Sequence, residues 1–537
     1  MFSGDTFKNI RVYWLAFVAY WGIILFGYDT GIAGGVVSQP YFETSFGLVN
    51  ADGSINKSKD TEVSSNVVSV LQAGAFFGAL GSAPISAWLG RRLTLIGFTI
   101  IFVIGAILTT VAGGSRGIAY IYGGRVISGF GIGGISAVAP TYVSECSPKN
   151  VRGRITGCFQ IMVAIGVMIS YFINLGVGLH MANSPNVWRI PFGFQLVPAG
   201  LMCLGLFTVK ESPRWLASKG YVAEAIANLA YLRREPYDSD EVRREFAEIE
   251  AAIREEQDAR KGLGLKEAFL GKGNFVRFVI AFVIFLLQQW SGQNSVGYYA
   301  PQIFSSIGYS GTTNSLLASG IYGIVKVVAT ALFVFFLVES LGRKASLFIS
   351  AMGMGITFFI IGAILKTHPV VTPLPGQSAP PPSPSSKGMA AMLYIYVCFY
   401  SMGWGPLPWV YVADIFPTRT RHYGIAVGSG SQWLWNFVVA KVTPTLETDL
   451  GFKLFMMFAT INIGGMAVFS LSDNSCANYL IDTYTMLNRF LPETKGRSLE
   501  EMDIIFGSVS AESREVFIER ALDHSEVKSQ PSIDKQI

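Results

Sequence analysis

Two ionisable side chains stand inside long apolar runs of this sequence, Asp29 within Arg11–Val37 and Arg125 within Ile118–Val143. A charge in such surroundings is expensive unless it is paired or faces a cavity. Two kinds of chemistry suit the pair. It can be a fixed structural ion pair, or the carboxyl can load and release a proton as the guanidinium moves toward and away from it. Lys326 is a third such residue, near the middle of the run Asn314–Val338. It calls for an acidic partner, and either a protein carboxylate or a bound anion would serve; a neutral lysine is the remaining alternative. Chemistry of other kinds has little support. The four His (His180, His368, His422 and His524) are scattered, so no metal site is indicated, and no nucleophile–base pairing is suggested. Gly129–Gly134 fits a dinucleotide-binding glycine pattern, but no strand precedes it and it lies inside an apolar run, so it reads as packing glycine.

The elements that must position these residues follow from composition. Of 537 residues, 51% are apolar and 14% charged, against about 25% charged in a soluble protein. A spanning helix takes roughly 20 apolar residues. The chain is therefore expected to be an all-α membrane protein, which disfavours a soluble enzyme, a disordered chain or a nucleic-acid binder. The net charge of +5 is too small to imply an anionic polymer partner. Five Cys without paired spacing imply neither a disulfide framework nor a zinc site.

Apolar runs lie at Arg11–Val37, Asn66–Leu89, Leu93–Gly113, Ile118–Val143, Ile155–Gly178 and Ile190–Val209, then at Phe275–Tyr299, Asn314–Val338, Ala345–Leu365, Ala390–Phe416, Gly424–Val442 and Phe452–Leu471. Twelve transmembrane helices in two six-helix bundles are expected, with an N-terminal bundle over 1–216 and a C-terminal bundle over 275–505. Between them, 217–274 is a charged helical linker, and 506–537 forms a tail. Basic clusters (Arg91 and Arg92; Lys149, Arg152 and Arg154; Arg343 and Lys344; Arg419 and Arg421) fall in alternate loops, on the side of the linker. That side is expected to be cytoplasmic, with both termini on it. The halves echo each other: Gly90-Arg-Arg92 is matched by Gly342-Arg-Lys344, and Pro140-Thr-Tyr-Val-Ser-Glu145 by Pro408-Trp-Val-Tyr-Val-Ala-Asp414. Repeated halves in a helical membrane protein point to a transporter that rocks about a midplane site.

Six motifs, in order, resemble the sugar porter family of the major facilitator superfamily. They are Gly27-Tyr-Asp29, Arg125-(x)3-Gly129-x-Gly131-x-Gly133, Glu211-Ser-Pro-Arg-Trp-Leu216, Gln288-Gln-Trp-Ser-Gly-Gln-Asn294, Gly405-Pro-Leu-Pro-Trp409 and Pro492-Glu-Thr-Lys-Gly-Arg497. The resemblance covers about residues 11–505 and is strongest to fungal members, including quinate and sugar permeases. It implies a pseudo-symmetric fold at the plasma membrane and import of a monosaccharide or sugar-like acid by alternating access, without a cofactor. It also implies proton coupling at Asp29 with Arg125. A polyhydroxylated ligand needs amides that donate and accept, plus an aromatic face. Gln160, Gln288, Gln289, Asn294, Trp409 and Gln432 match substrate-contact positions of the family, the alternative for any one amide being a helix-to-helix hydrogen bond. Arg91, Arg92, Glu145, Arg152, Glu339, Arg343, Asp414 and Arg419 are the expected gating residues at the cytoplasmic ends, latching the outward-facing state.

Departures from the family pattern are informative. Lys326 stands where many hexose carriers have Asn, and quinate-type permeases resemble this chain there, so a carboxylate-bearing substrate is favoured. Gln293 adds polarity to the seventh run, while Ala87 and Trp88 replace a usual acid and base before Gly90. A nutrient sensor of the same fold is the rival reading, disfavoured by the short tail after Asp503, which carries no docking motif. Leu471–Arg489 inserts about nineteen mostly polar residues before the Pro492 motif. It is read either as a cytoplasmic extension or, preferentially, as an intron translated in frame.

Overall fold

A computed structural model describes residues 9–50, 54–113, 117–260, 269–271, 274–337, 342–370, 381–416 and 420–471. Glu339, Arg419 and the polar segment 472–489 lie outside the described residues, as does the side chain of Arg152. The described elements are helices, with one isolated bridge between Val49 and Ile55.

The first half comprises α1 (Ile10–Val37), the short α2 (Pro40–Ser45), α3 (Lys57–Leu89), α4 (Arg91–Thr110), α5 (Ala119–Cys146), α6 (Lys149–His180), α7 (Asn186–Phe194) and α8 (Leu196–Leu206). The linker supplies α9 (Pro213–Ser218), α10 (Val222–Arg233) and α11 (Asp240–Arg260). The second half contains α12 (Asn274–Gln289), α13 (Gln293–Tyr298), α14 (Ala300–Ser306), α15 (Thr312–Leu332), α16 (Arg343–Thr367), α17 (Pro384–Ser401), α18 (Leu407–Ile415), α19 (Arg421–Leu450), α20 (Phe452–Thr460) and α21 (Val468–Leu471). Two π-helical stretches, Phe333–Leu337 and Ile461–Ala467, continue α15 and join α20 to α21.

Among the described residues, nine helices are long and apolar enough to cross a bilayer. The runs expected seventh and tenth are interrupted, and the eleventh, α19, carries more polar side chains. The seventh run breaks at Ser291–Gly292, where Gly292 adopts φ +94°, a conformation that favours glycine. The tenth breaks over Met402–Pro406, where Gly403, Gly405 and Pro406 deny the helix its regular bonding, and Pro408 follows in the first turn of α18. The second helix begins at Lys57, nine residues before the apolar run. Asn56 caps it by accepting the amide of Lys59 at 3.2 Å, and its first turns are polar, so hydropathy alone hides them.

Close helix packing explains the glycine run of α5. A Cβ at Gly129 or Gly133 would strike the carbonyls of Leu71 and Ala75 on α3, so these positions hold two backbones together. α15 packs along α6 and α19 along α3, which joins the halves. The linker helices have a small apolar core of their own, around Leu216, Leu229 and Phe246. They dock on the first half: Arg233 donates to the carbonyl of Cys146 at 3.1 Å, and Arg11 stacks on Tyr231 at 4.0 Å.

Several polar bonds cross between the halves on the face away from the linker. Gln302 donates to the Gly34 carbonyl at 3.2 Å, and Tyr171 donates to the Gly297 carbonyl at 2.6 Å. Lys441 donates to Ser65 at 3.2 Å and to Asn66. These contacts hold that face shut.

Candidate transport site

Asp29 and Arg125 meet: of the two alternatives open to charges in apolar runs, pairing or facing a cavity, the structure shows the pair. Both side chains are 1% exposed, and Arg125 Nη1 donates to Asp29 Oδ1 at 3.2 Å. Gln195 donates from Nε2 to the same oxygen at 3.0 Å. It lies at the junction of α7 and α8, a position that sequence reading did not single out. Its only signal was an amide in an otherwise apolar run. Asp29 Oδ2 and Arg125 Nε and Nη2 have no hydrogen-bond partner. Arg125 also lies 5.8 Å over the ring of Phe192. Next to this cluster the second half presents Tyr298, whose hydroxyl donates to Asn436 Oδ1 at 2.8 Å.

The amides of the seventh run surround its break. Gln288 Nε2 donates to the carbonyls of Trp404 and Gly405, at 2.7 and 3.1 Å, groups exposed by the break in the tenth run. Gln289 donates to Gln288 Oε1 at 3.2 Å and accepts from Asn294. Gln293 Oε1 accepts from Tyr322 at 3.0 Å, so the extra polar residue of the motif is held by α15. Three of these amides, Gln288, Gln289 and Gln293, are buried, while Asn294 is half-buried. Trp409 is half-buried and meets Phe285 edge-on at 4.8 Å. Gln432 is buried with Oε1 unpartnered, beside Trp433, which meets Phe26 of the first half at 5.5 Å. Gln160 is half-buried on α6. Both readings of the amides thus have a share: Gln288 bonds backbone, whereas Gln432 keeps a free acceptor.

Lys326 is half-buried on α15, one turn after Tyr322, and pairs with no acid among the described residues. Its backbone carbonyl accepts from Thr330 at 2.7 Å, and Thr330 continues to Ser401 at 3.2 Å.

The expected gating residues whose side chains are described fall into two groups, one in each half. Arg91 grips Glu145 through both oxygens, at 3.0 and 2.8 Å, and Ser212 donates to Glu145 at 2.6 Å. Glu211 accepts the backbone amides of Arg91 and Arg92, each at 3.0 Å, which caps α4 with a carboxylate. Its burial raises the carboxyl pKa, opposed by these amides and that of Ser212. Arg92 donates to the carbonyl of Leu206 at 2.8 Å. At the position of the missing acid, the Ala87 carbonyl accepts from Trp215 at 3.0 Å. In the second half Arg343 lies 3.8 Å from Asp414. Each pair stays within its own half.

A family model described as "Sugar (and other) transporter" matches residues 15–506. The chain belongs to the sugar porter family of the major facilitator superfamily. It is a sugar-transporter-type membrane protein and not an enzyme. It is 36% identical to the quinate permease of Emericella nidulans over 506 residues, covering 93% of this chain and 89% of that one. It is also 36% identical to the quinate permease of Neurospora terricola over 540 residues, covering 98% and 95%. Among solved structures it resembles the proton:xylose symporter XylE bound to 6-bromo-6-deoxy-D-glucose, with a TM-score of 0.71 and 24% identity over 93% of this chain and 100% of that one. The inward open conformation of XylE from E. coli gives a TM-score of 0.69 at 23% identity, over 92% and 99%. These two share the fold.

Proposed function

We propose that this sugar porter imports quinate or a related sugar-like acid together with a proton. Lys326 carries the substrate reading. A half-buried ammonium in mid-span, with no acid paired to it among the described residues, suits a ligand that brings its own carboxylate. The ring hydroxyls of such a ligand are matched by Gln160, Gln288, Gln289, Asn294 and Gln432, and its apolar face by Trp409. The names of the fungal relatives support the same substrate class.

Asp29 is the proton carrier in this reading. Arg125 and Gln195 both hold Oδ1, which leaves Oδ2 as the atom that takes the proton. Protonation would cancel the charge that fixes Arg125, releasing it next to Tyr298 of the second half. The linker face is cytoplasmic, both termini lie on it, and the protein resides in the plasma membrane. On that assignment the closed face described above is the outer one. Arg91 with Glu145 and Arg343 with Asp414 act as the cytoplasmic gating pairs in this reading, which also assigns a gating role to Arg92, Arg152, Glu339 and Arg419.

Uptake of labelled quinate, galacturonate, glucose and xylose by a transporter-deficient yeast, at several external pH values, tests the proposal. Accumulation of quinate or galacturonate that collapses with a protonophore is the expected result. Uptake confined to neutral sugars would overturn the substrate reading, and protonophore-insensitive accumulation would overturn the coupling.

A further inference from the structure

The break at Ser291–Gly292 leaves a backbone carbonyl at membrane depth without a helical partner, a state tolerated only where other protein groups satisfy it. Two side chains from other helices do so. Tyr396 of α17 donates its hydroxyl to the Ser291 carbonyl at 3.2 Å, and Asn462 donates Nδ2 to the same oxygen at 3.0 Å. Asn462 is fully buried and lies in the π-helical stretch Ile461–Ala467. Such a stretch displaces side chains from the regular α-helical register, often at functional positions. The break is further tied by Ser291 Oγ, which donates to the Gln288 carbonyl at 2.7 Å and accepts the Gln293 amide at 3.3 Å. Gln288, Gln289, Gln293 and Asn294 all hang on the two residues that this knot fixes.

We infer that Asn462 is a positioning residue for the transport site. It touches no substrate; it holds the backbone from which the amides of the seventh run project. Tyr396 shares the task through the same acceptor. This inference rests on the transporter reading of the amides but not on quinate as the substrate. Loss of either donor leaves one bond on the Ser291 carbonyl, while loss of both leaves a buried carbonyl with none. The cost of the double change therefore exceeds the combined cost of the single ones.

The test measures KM and Vmax for labelled quinate, or for xylose if that is what the unsubstituted protein carries, in Asn462→Leu, Tyr396→Phe and the double variant. Thermal stability of each purified protein is followed in parallel. Asn462→Leu should raise KM by about tenfold with Vmax within about twofold. Tyr396→Phe, which removes one oxygen and is the gentler change, should raise KM by about threefold. The double variant should exceed the product of the two factors. Lowered melting temperature or Vmax with unchanged KM in Tyr396→Phe would overturn the inference, as would a double variant whose KM factor equals that product.

Discussion

Gln195 and Arg125 donate to one and the same oxygen of Asp29, at 3.0 and 3.2 Å. The second oxygen is buried and unpartnered. A carboxylate held this way is asymmetric: one oxygen is anchored and the other is open to a proton. This arrangement separates holding the acid in place from changing its charge.

Asp29→Asn should therefore abolish accumulation against a gradient while exchange of labelled for unlabelled substrate persists. The amide keeps an oxygen for Gln195 and Arg125 but cannot cycle a proton. Counterflow in reconstituted vesicles measures the exchange, and pH-jump uptake measures the accumulation. A variant that still concentrates substrate normally would exclude Asp29 from coupling.

Lys326→Asn should weaken uptake of quinate or a uronate and spare neutral sugars. Attraction between unit charges about 4 Å apart is roughly 4 kcal/mol at an effective dielectric of 20, before desolvation. Even about a quarter of that gives several-fold discrimination. Competition of quinate against glucose, in the variant and the parent, reads the ratio directly. Equal loss for acid and neutral ligands would mark the lysine as structural.

Gly34→Val should favour the conformation open on the face away from the linker. A side chain at Gly34 would strike the backbone carbonyl of Tyr298, so the closed face cannot form without displacing α13. Cysteines introduced on that face, read by a membrane-impermeant thiol reagent, should react faster in the variant. Transport should fall several-fold or more, since the cycle needs both conformations. Unchanged reactivity would show that the contact does not limit closure.

The short helix α2 should loosen as pH rises from mildly acidic to neutral. Burial, with Asp60 adding to it, pushes the Glu43 carboxyl up to about 7. A raised carboxyl pKa contributes stability that is full below its unfolded value, about 4.3, and is lost as pH rises through the folded value. Nearby, Asp60 accepts from Ser64, while Lys59 is engaged with the Gly47 carbonyl at 2.8 Å. Hydrogen exchange of the Pro40–Ser45 amides should quicken between about pH 4 and pH 7 beyond the intrinsic rate, and level off above the folded value. Glu43→Gln should remove that extra dependence.

Much of this protein was legible in its sequence because a bilayer is a demanding solvent. Hydrocarbon forces apolar runs of fixed length, so most spans could be read to within a few residues. The same constraint made Asp29, Arg125 and Lys326 conspicuous, since each charge had to be justified by a partner or a cavity. Motifs that recur in both halves marked Arg91 and Glu145, but that the one grips the other was decided by the packing of α4 against α5. Tertiary structure decided what composition cannot encode. Gln195 looked like an isolated amide until folding placed it on Asp29, 166 residues away in sequence. Asn462 carried no motif at all, and only the π-helical stretch and the break at Gly292 bring it to the Ser291 carbonyl. Hydropathy records how much of a segment is apolar, but not where its backbone bonds fail. Those failures, and the distant side chains that repair them, exist only once the helices are packed together.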